Sequence, residues 1–383
     1  MTDSLSSIRA IRERLLVTRA EGDLVFDAED RPYIDLFGGN GAAFLGHVNP
    51  VVRDAVRAQL DRIWIAGALP TPSRLEAASI LETFFPASYR CAGLYSTGME
   101  AAEFAMRVAR VVTGRRGLLG FDGGMHGKST AAAALGWPSE LTLLPDVRRL
   151  PYVAHASEER ILELAGESLA TGSVAAVFIE PLQGSAGGHL ASNDFFRRLS
   201  ALCERHGTLL VVDEIFSGFH RTGEAFLHQE LGFLPDAVLV GKAMGNGFPV
   251  SAVMVHRKHP VDDRMLPNST FSGNPLAAAA VVATLGEMRR TDVRSKVAVI
   301  ERIFSEELRE LVQAGMPLRG RGAFWVIELA EHAVDRTISG IFQGGVMVSS
   351  TNRYVRLLPA ATIRPERLTQ ACRVIRDVCL RSR

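Results

Sequence analysis

Cysteines are few and long apolar runs are lacking in this sequence of 383 residues. Only four cysteines occur, and no two have CxxC spacing, so we predict neither a disulfide framework nor a metal site. No run approaches the roughly 18 apolar residues of a membrane span, and acids and bases are mixed through the start of the chain. These absences favour a cytoplasmic protein without a membrane partner.

An excess of charge of one sign is also lacking. The 43 Lys and Arg residues balance 42 Asp and Glu residues, so the net charge of +1 excludes nucleic acid as a partner chosen by charge. Lysine is rare, because all but four of the basic residues are arginine. Chemistry that needs a deprotonatable amine therefore has only four candidates, which are Lys128, Lys242, Lys258 and Lys296.

What the sequence does contain is the composition of an ordinary globular enzyme, with 47% hydrophobic and 22% charged residues. From about residue 90 to 255, short aliphatic runs alternate with stretches of helical period, which is typical of an α/β fold with a mostly parallel sheet. We predict strands at 93–95, 117–121, 175–179, 209–212 and 237–240, and helices at 100–112 and 194–206.

After residue 285 the pattern changes to that of a smaller α+β domain. We predict a long helix around 293–314, strands at 324–329, 345–349 and 355–358, and a closing helix that begins at Pro365. The predicted domains are an N-terminal segment, 1–45, that joins the small domain, a large domain, 46–285, and the C-terminal small domain, 286–383.

Polar residues follow all five predicted strands of the large domain. They are Ser96 and Thr97, the run 122–126, Glu180, Asp213 with Glu214, and Lys242. Because ligands bind outside the carboxyl ends of the strands in open α/β sheets, we expect these residues to line one crevice.

The segment YSTGMEAAEF, which begins at Tyr95, predicts a strand, a tight turn and a helix. Thr97 and Glu100 have the spacing of a capping box, which is a purely structural explanation. The same geometry suits a phosphate, because Gly98 permits close approach and the first amides of a helix can bind an anion. Taken alone, the segment favours the capping box.

The run FDGGMHGKST resembles a P-loop, and LLVVDE at 209–214 resembles the acidic strand of a nucleotide hydrolase. The P-loop spacing requires a glycine at position 122, where the sequence has Asp122. A nucleoside triphosphatase is therefore the alternative from a different class of enzyme.

Asp213 and Lys242 allow another chemistry. Asp213 follows four aliphatic strand residues, so its buried charge needs a partner, which is an arginine, a helix N-terminus or a protonated pyridine nitrogen. Lys242 lies between apolar residues, and a desolvated amine with a lowered pKa suits Schiff-base formation. A solvated lysine at a loop tip is the ordinary alternative.

Four segments, GKAMGNGFP, DEIFSGFHRTG, IEPLQGSAGG and TFSGNPLA, together resemble those of the class III aminotransferases. They occur in the family's order, and the resemblance extends over about residues 33–360. It implies the fold of the fold type I transferases, with pyridoxal phosphate bound in the large domain. It also implies a homodimer with active sites at the subunit interface, and a small-molecule amino donor and carbonyl acceptor as partners.

For the reacting groups, the resemblance implies that Lys242 forms a Schiff base with the cofactor aldehyde. Released by the substrate, Lys242 would then move a proton between the substrate carbon and the cofactor. Asp213 would pair with the pyridine N–H and keep the ring protonated, so that the ring can accept electrons.

For the phosphate, the resemblance implies that Gly98 and Met99 offer backbone amides, beside Ser96 and Thr97. Thr270 would reach the phosphate of the cofactor in the neighbouring subunit. This last role requires a dimer.

For the ring, the resemblance implies that Ile215 packs against one face. Met125 occupies the position where the family has a stacking Tyr or Phe, and a thioether can still cover an aromatic face. His126 either orients the surroundings of the ring or caps a turn, and Glu180 would support the site through hydrogen bonds.

The sequence departs from the family at two further positions. Phe216 stands where many members have a glutamine, and Ser185 stands where the ω-aminotransferases have a glutamate that masks an arginine. That arginine corresponds to Arg356, which we expect to bind the substrate. These departures favour the branch that contains glutamate-1-semialdehyde aminomutase and predict an unusual substrate, in a biosynthetic pathway.

We therefore predict an aminotransferase that acts through Lys242. The alternatives are an aminomutase or epimerase and then a decarboxylase, since the same residues serve all of these outcomes. A scaffold without catalysis is a further alternative, which only Met125 supports.

Overall fold

The computed structural model describes residues 15–137, 144–262 and 269–382, so the first fourteen residues of the predicted N-terminal segment and Asn268 lie outside the described residues. The chain divides into two compact units. Unit 1 comprises residues 1–53, 220–223 and 287–383, and unit 2 comprises residues 54–219 and 224–286. The three domains predicted from the sequence stay a prediction.

The described residues form fourteen strands and two seven-stranded sheets. In chain order the strands are β1 Arg19–Glu21, β2 Leu24–Phe26, β3 Pro32–Leu36, β4 Tyr89–Tyr95, β5 Gly117–Phe121, β6 Val147–Leu150, β7 Val174–Ile179, β8 Leu209–Asp213, β9 Ala237–Gly241, β10 Ser251–His256, β11 Leu318–Arg321, β12 Phe324–Glu328, β13 Val346–Thr351 and β14 Tyr354–Leu357.

The sheet of unit 2 has the order β4-β10-β9-β8-β7-β5-β6. Neighbouring strands are parallel except at β10, which is antiparallel to both β4 and β9. The central strands β7, β8 and β9 are buried at every residue, which explains why their sequences are continuous apolar runs.

Helices join the strands of unit 2, and one of them, Gly98–Thr113, buries a stripe of small and aliphatic side chains in the core that also contains β7, β8 and β9. Its other helices are Pro72–Glu82, Thr130–Ala134, Glu158–Leu169, Asn193–Arg205 and Leu227–Leu231, and a 3-10 turn spans Lys242–Gly245. The helices Pro50–Leu60 and Pro275–Arg290 contain positions at which one unit ends and the other begins.

The sheet of unit 1 has the order β1-β2-β3-β13-β14-β12-β11 and is antiparallel except between β3 and β13. Its helices are Gly38–Gly41, Val293–Glu307, Arg309–Gln313, Val334–Gln343 and Pro365–Arg381, with a 3-10 turn at Glu331–Ala333. The closing helix buries the face that the sequence predicts, with Leu368, Cys372, Ile375 and Cys379.

The eight predicted strands are present with shifts of a few residues at their ends, and β5 has the predicted bounds. The predicted long helix is wrong in one respect, because it ends at Glu307 and a short helix begins at Arg309, after Leu308 leaves the helical region. Strands β6 and β10 were not predicted, since β6 carries two arginines and β10 follows directly on a glycine-rich turn.

Within the described ranges, none of the helices combines the length and the hydrophobicity of a membrane-spanning segment.

Close packing of strand β5 gives a test of the fold. A Cβ atom at Gly120 would lie 2.0 Å from the backbone oxygen of Leu135, so Gly120→Ala forces the backbone apart. We expect the midpoint of thermal unfolding to fall, by the equivalent of about 1–3 kcal/mol for overpacking. The matched control is Gly286→Ala, where a Cβ meets nothing within 4 Å in a helix. The control should keep or raise the midpoint, because alanine favours helix, and equal midpoints for both variants would contradict the packing.

Candidate active site

The ends of the parallel strands bring several of the predicted residues to one edge of the unit 2 sheet. Asp213 is the last residue of β8 and pairs in register with Leu239 of β9, and Lys242 follows directly after β9. Glu180 follows β7, the neighbour of β8 on its other side. The convergence expected from the sequence is therefore seen in the sheet topology.

Asp213 is buried, and two groups of the protein hold its carboxylate. Its Oδ2 lies 2.9 Å from Nδ1 of His126, and its Oδ1 accepts a hydrogen bond of 3.0 Å from the N–H of Ile215. His126, expected either to orient the ring's surroundings or to cap a turn, thus reaches the carboxylate. Among the described residues these partners are neither an arginine nor a helix N-terminus, and the pairing with a pyridine nitrogen stays a prediction.

The charge of His126 depends on this contact. Burial alone would lower the pKa of His126, but the hydrogen bond to Asp213 and the negative charges of Asp213 and Glu180 raise it above its ordinary value. These contacts therefore favour the protonated form of the imidazole. The Nε2 atom of His126 has no hydrogen-bond partner among the described residues.

Glu180 is a second buried carboxyl group at this edge. Its Oε2 accepts a hydrogen bond of 2.8 Å from the N–H of Met125, so Glu180 fixes the backbone of the turn that carries both Met125 and His126. Burial raises the pKa of Glu180 well above its ordinary value, against the lowering effect of the charges of His126 and Lys242. Glu180 supports the turn rather than offering a second permanent charge.

Lys242 begins the turn after β9 with a φ of +41°, which is unusual for a residue with a side chain. Its side chain is half-buried, and Nζ lies 4.6 Å from the centre of the Phe216 ring. Phe216 itself follows three residues after Asp213. The lysine predicted to be desolvated is thus set against an aromatic ring.

The start of the helix Gly98–Thr113 forms the capping box that the sequence suggested. Thr97 Oγ1 accepts a hydrogen bond of 3.1 Å from the N–H of Glu100, and Glu100 Oε2 accepts one of 2.8 Å from the N–H of Ser96. The box leaves the amides of Gly98 and Met99 without an intrahelical acceptor. Structural capping and anion binding are therefore compatible here.

Glycine is required at position 98 by a close approach. A Cβ atom there would lie 2.5 Å from Cδ1 of Ile215, so the helix start is packed against the residue that follows Asp213 by two positions. Gly241 is also near Ile215, since a Cβ at position 241 would lie 3.4 Å from its Cγ2. Ile215 therefore links the helix start, Asp213 and the turn of Lys242.

The run that resembles a P-loop has other contacts. Ser129 Oγ donates a hydrogen bond to Glu103, and Lys128 Nζ lies 5.8 Å from the centre of the Trp137 ring. The helix that follows, Thr130–Ala134, has only five residues. The lysine and serine side chains that a P-loop directs at phosphate and Mg²⁺ thus have other contacts here, which does not favour the nucleotide-hydrolase alternative.

Glu214 was expected from the sequence only to line the crevice with the other polar residues, and the structure gives it specific partners. It is fully buried and accepts four hydrogen bonds, from the N–H groups of Leu227 (2.9 Å) and His228 (2.7 Å), from His228 Nδ1 (2.9 Å) and from Ser217 Oγ (2.6 Å). Burial would raise the pKa of Glu214, but these hydrogen bonds and the charge of His228 lower it below its ordinary value. The signal in the sequence was a second acid after an apolar strand.

Two further predicted residues, Thr270 and Arg356, belong to different units. Thr270 is exposed, next to the exposed Phe271. Arg356 belongs to unit 1, where it is buried and donates hydrogen bonds from Nη2 to Ser349 Oγ (2.5 Å) and Asn40 Oδ1 (3.3 Å).

The groups present in unit 2 fit the cofactor that the resemblance implies. An amine for its aldehyde, a buried carboxylate for its ring nitrogen and a helix start without room for a Cβ all occur around Ile215. No group of three or more His, Cys, Asp or Glu residues that could hold a metal ion occurs in the described part of the chain.

Comparison with known proteins gives a consistent result. Residues 8–379 match the family model described as aminotransferase class-III. The chain is 30% identical over 377 residues to the [LysW]-aminoadipate semialdehyde/glutamate semialdehyde transaminase of Sulfolobus acidocaldarius, covering 96% of this chain and 95% of the relative. It is 33% identical to the 2-aminoadipate transaminase of Pseudomonas putida (94% and 92%) and 31% identical to the acetylornithine aminotransferase of Methanopyrus kandleri (93% and 92%).

Two solved structures have similar folds. An amine transaminase from an uncultivated Pseudomonas species in its PLP-bound form superposes with a TM-score of 0.89 at 23% identity, over 96% of this chain and 95% of that chain. The ornithine aminotransferase from Toxoplasma gondii, which has partial occupancy of PLP, gives a TM-score of 0.88 at 25% identity, over 98% and 94%.

The contact between Asp213 and His126 can be tested by titration. In Asp213→Asn the negative charge that raises the pKa of His126 is lost while the burial that lowers it remains, so we expect this pKa to fall. The measurement is a pH titration of the imidazole nitrogens by NMR in cofactor-free protein. His256, whose pKa burial lowers, serves as the control and should titrate as in the wild type. An unchanged pKa for His126 would contradict the contact.

Proposed function

The chain belongs to the class III aminotransferase family, and from this premise we propose that Lys242 and Asp213 are its catalytic residues. Membership of the family confirms the fold type I architecture, the pyridoxal phosphate cofactor and the aminotransferase reaction expected from the sequence. The enzyme transfers an amino group between small-molecule amino and keto compounds. The residues that perform this reaction, its substrate class and its assembly are our proposals.

The single observation that supports the proposal is the placement of Asp213 and Lys242 at the ends of the neighbouring parallel strands β8 and β9. When bound, pyridoxal phosphate supplies an aldehyde that condenses with amines and a protonated ring that accepts electrons from the bonds at the amine carbon. Lys242 Nζ would hold the aldehyde, and once displaced by the substrate it would move the proton between the substrate carbon and the cofactor.

The carboxylate of Asp213 has a fixed orientation, because His126 holds its Oδ2 and the N–H of Ile215 holds its Oδ1. An ionised carboxylate stabilises a proton on the nitrogen of the ring, and the protonated ring is the better electron acceptor. Glu180 holds the turn of Met125 and His126, so it would act by positioning these two residues.

The remaining contacts follow from the same edge of the sheet. We propose that Gly98 and Met99 bind the phosphate through their amides, with Ser96 and Thr97 holding the helix start in place. Ile215 and Met125 would cover the two faces of the ring. A thioether contact with an aromatic face contributes about 0.3–1.5 kcal/mol.

For the substrate, we propose a compound that carries a carboxylate. The relatives in Sulfolobus acidocaldarius, Pseudomonas putida and Methanopyrus kandleri are named for aminoadipate and acetylornithine compounds, which are all carboxylic acids. Arg356 supports this class, because a buried guanidinium suits the bidentate binding of a carboxylate.

We also propose a cytoplasmic homodimer. Exposed apolar side chains are concentrated in the segment 63–69, with Ile63, Trp64, Ile65 and Leu69, and at Phe271. Arg74 joins the two regions, since it donates hydrogen bonds to the carbonyl groups of Gly67 (2.8 Å) and Ser272 (2.7 Å). A contiguous exposed apolar surface marks an interface, and Thr270 lies within it, as a residue that serves the partner's cofactor would. The four free cysteines suit a reducing compartment.

The role of Lys242 can be tested chemically. We expect borohydride reduction of the enzyme with bound pyridoxal phosphate to fix the cofactor mass on the peptide that contains Lys242, as measured by mass spectrometry. Lys242→Ala should lose both this adduct and the visible absorption band of the covalently bound cofactor.

The matched control is Lys296→Ala, because Lys296 belongs to the helix Val293–Glu307 of unit 1 and not to a segment that follows a strand of the unit 2 sheet. It should keep the adduct and the band, and its band should be bleached by an amino donor that carries a carboxylate. An adduct on another lysine in the wild type would refute the assignment.

The dimer can be tested at the apolar surface. Leu69 is 70% exposed, and Leu69→Glu places a charge in the proposed interface, so we expect the mass in solution to fall from that of two chains to that of one. Sedimentation velocity measures this mass. Leu234→Glu, at a residue that is 61% exposed elsewhere on unit 2, should remain dimeric. A monomeric wild type would overturn the proposal.

A further inference from the structure

The ring of Phe216 lies beside the amine of Lys242, with 4.6 Å between Nζ and the ring centre. An ammonium group within about 6 Å of an aromatic centroid is attracted to the negative face of the ring. Phe216 is only 6% exposed, so this attraction acts where little water competes with it. The contact is therefore close enough and dry enough to affect the lysine.

The position of the ring is fixed from its other side by a glycine. A Cβ atom at Gly184 would lie 2.7 Å from Cδ1 of Phe216, so the ring rests directly on the backbone. This backbone is itself held, because Gln183 donates a hydrogen bond of 2.8 Å from Nε2 to the carbonyl of Asp122 and accepts one of 3.0 Å from the N–H of Gly188. The ring cannot retreat from Lys242 in this direction.

We propose that Phe216 is a positioning residue for Lys242, whose ring holds the ammonium group whenever Nζ is not bonded to the cofactor. The inference rests on the role of Lys242 proposed above. Each time the substrate displaces the lysine, the amine must stay at the sheet edge, pick up a proton and return. A ring face attracts the ammonium without accepting a directed hydrogen bond, so it retains the charged amine without locking its direction.

Titratable groups also face this part of the site. Glu180 is close enough for the charge of Lys242 to lower its pKa, and Asp213 and His126 form the neighbouring pair. These groups change charge with pH, whereas a phenyl ring does not. Substitution of the ring alone therefore isolates its contribution to the charge of the lysine.

The rarity of lysine makes a direct measurement practical. Cofactor-free protein is labelled with acetic anhydride over a range of pH, and the extent of labelling of each of the four lysines is measured by mass spectrometry. Labelling requires the neutral amine, so each lysine gives its own pH midpoint, and Lys128, Lys258 and Lys296 are internal controls.

In Phe216→Leu the site stays apolar but loses the ring face, so we expect the midpoint of Lys242 to shift to lower pH by about half a unit to one unit. Phe216→Tyr keeps a ring face and should keep the wild-type midpoint. The midpoints of the other three lysines should not change in either variant, and a circular dichroism spectrum like that of the wild type shows that each variant is folded.

Three outcomes overturn the inference. They are an unchanged midpoint in Phe216→Leu, a shift to higher pH, and an equal shift in Phe216→Tyr. The borohydride adduct separates this failure from that of the proposed function. An adduct on Lys242 with no midpoint shift refutes only the role of Phe216, whereas an adduct on another lysine refutes the role of Lys242 and this inference with it.

Discussion

The hydrogen bond between Asp213 and His126 is the interaction on which the rest of the site depends. It gives the carboxyl group of Asp213 a hydrogen-bond partner at the end of a strand whose other residues are aliphatic and buried, where an unpaired polar group would be costly. It also fixes the orientation of the group proposed to face the ring nitrogen of pyridoxal phosphate. Two other residues fix the positions of this pair. Ile215 holds the carboxylate of Asp213 through its N–H, and Glu180 holds the turn that carries His126.

Much of this arrangement is predictable from the sequence because it is local. The strands of unit 2 are continuous apolar runs, so β5 and the other predicted strands could be located within a few residues. A polar residue directly after such a run lies at the strand end, and the ends of parallel strands share one edge. Glu180, Asp213 and Lys242 are therefore brought together by topology alone.

What the sequence does not predict depends on contacts between distant residues. His126 and Asp213 are separated by 87 positions. Nothing in either segment indicates that a ring nitrogen of His126 meets the carboxylate of Asp213. The contact of Phe216 with Gly184 is likewise visible only once both loops are in place. Strand β10 was missed since its reversal relative to β9 follows from the connection 242–250, which contains a 3-10 turn and Gly247 with a φ of +104°.

Glu214 has a consequence for how the enzyme acquires its cofactor. A carboxylate with four donors ties residue 214 to 227 and 228, so the loop after Asp213 is held by hydrogen bonds between groups of the protein itself. Binding of the cofactor then orders little of the polypeptide. The favourable free energy of the contacts between protein and cofactor is therefore not offset by the cost of ordering this loop. In this respect, the binding of pyridoxal phosphate resembles docking to a preformed site more than folding that is coupled to binding.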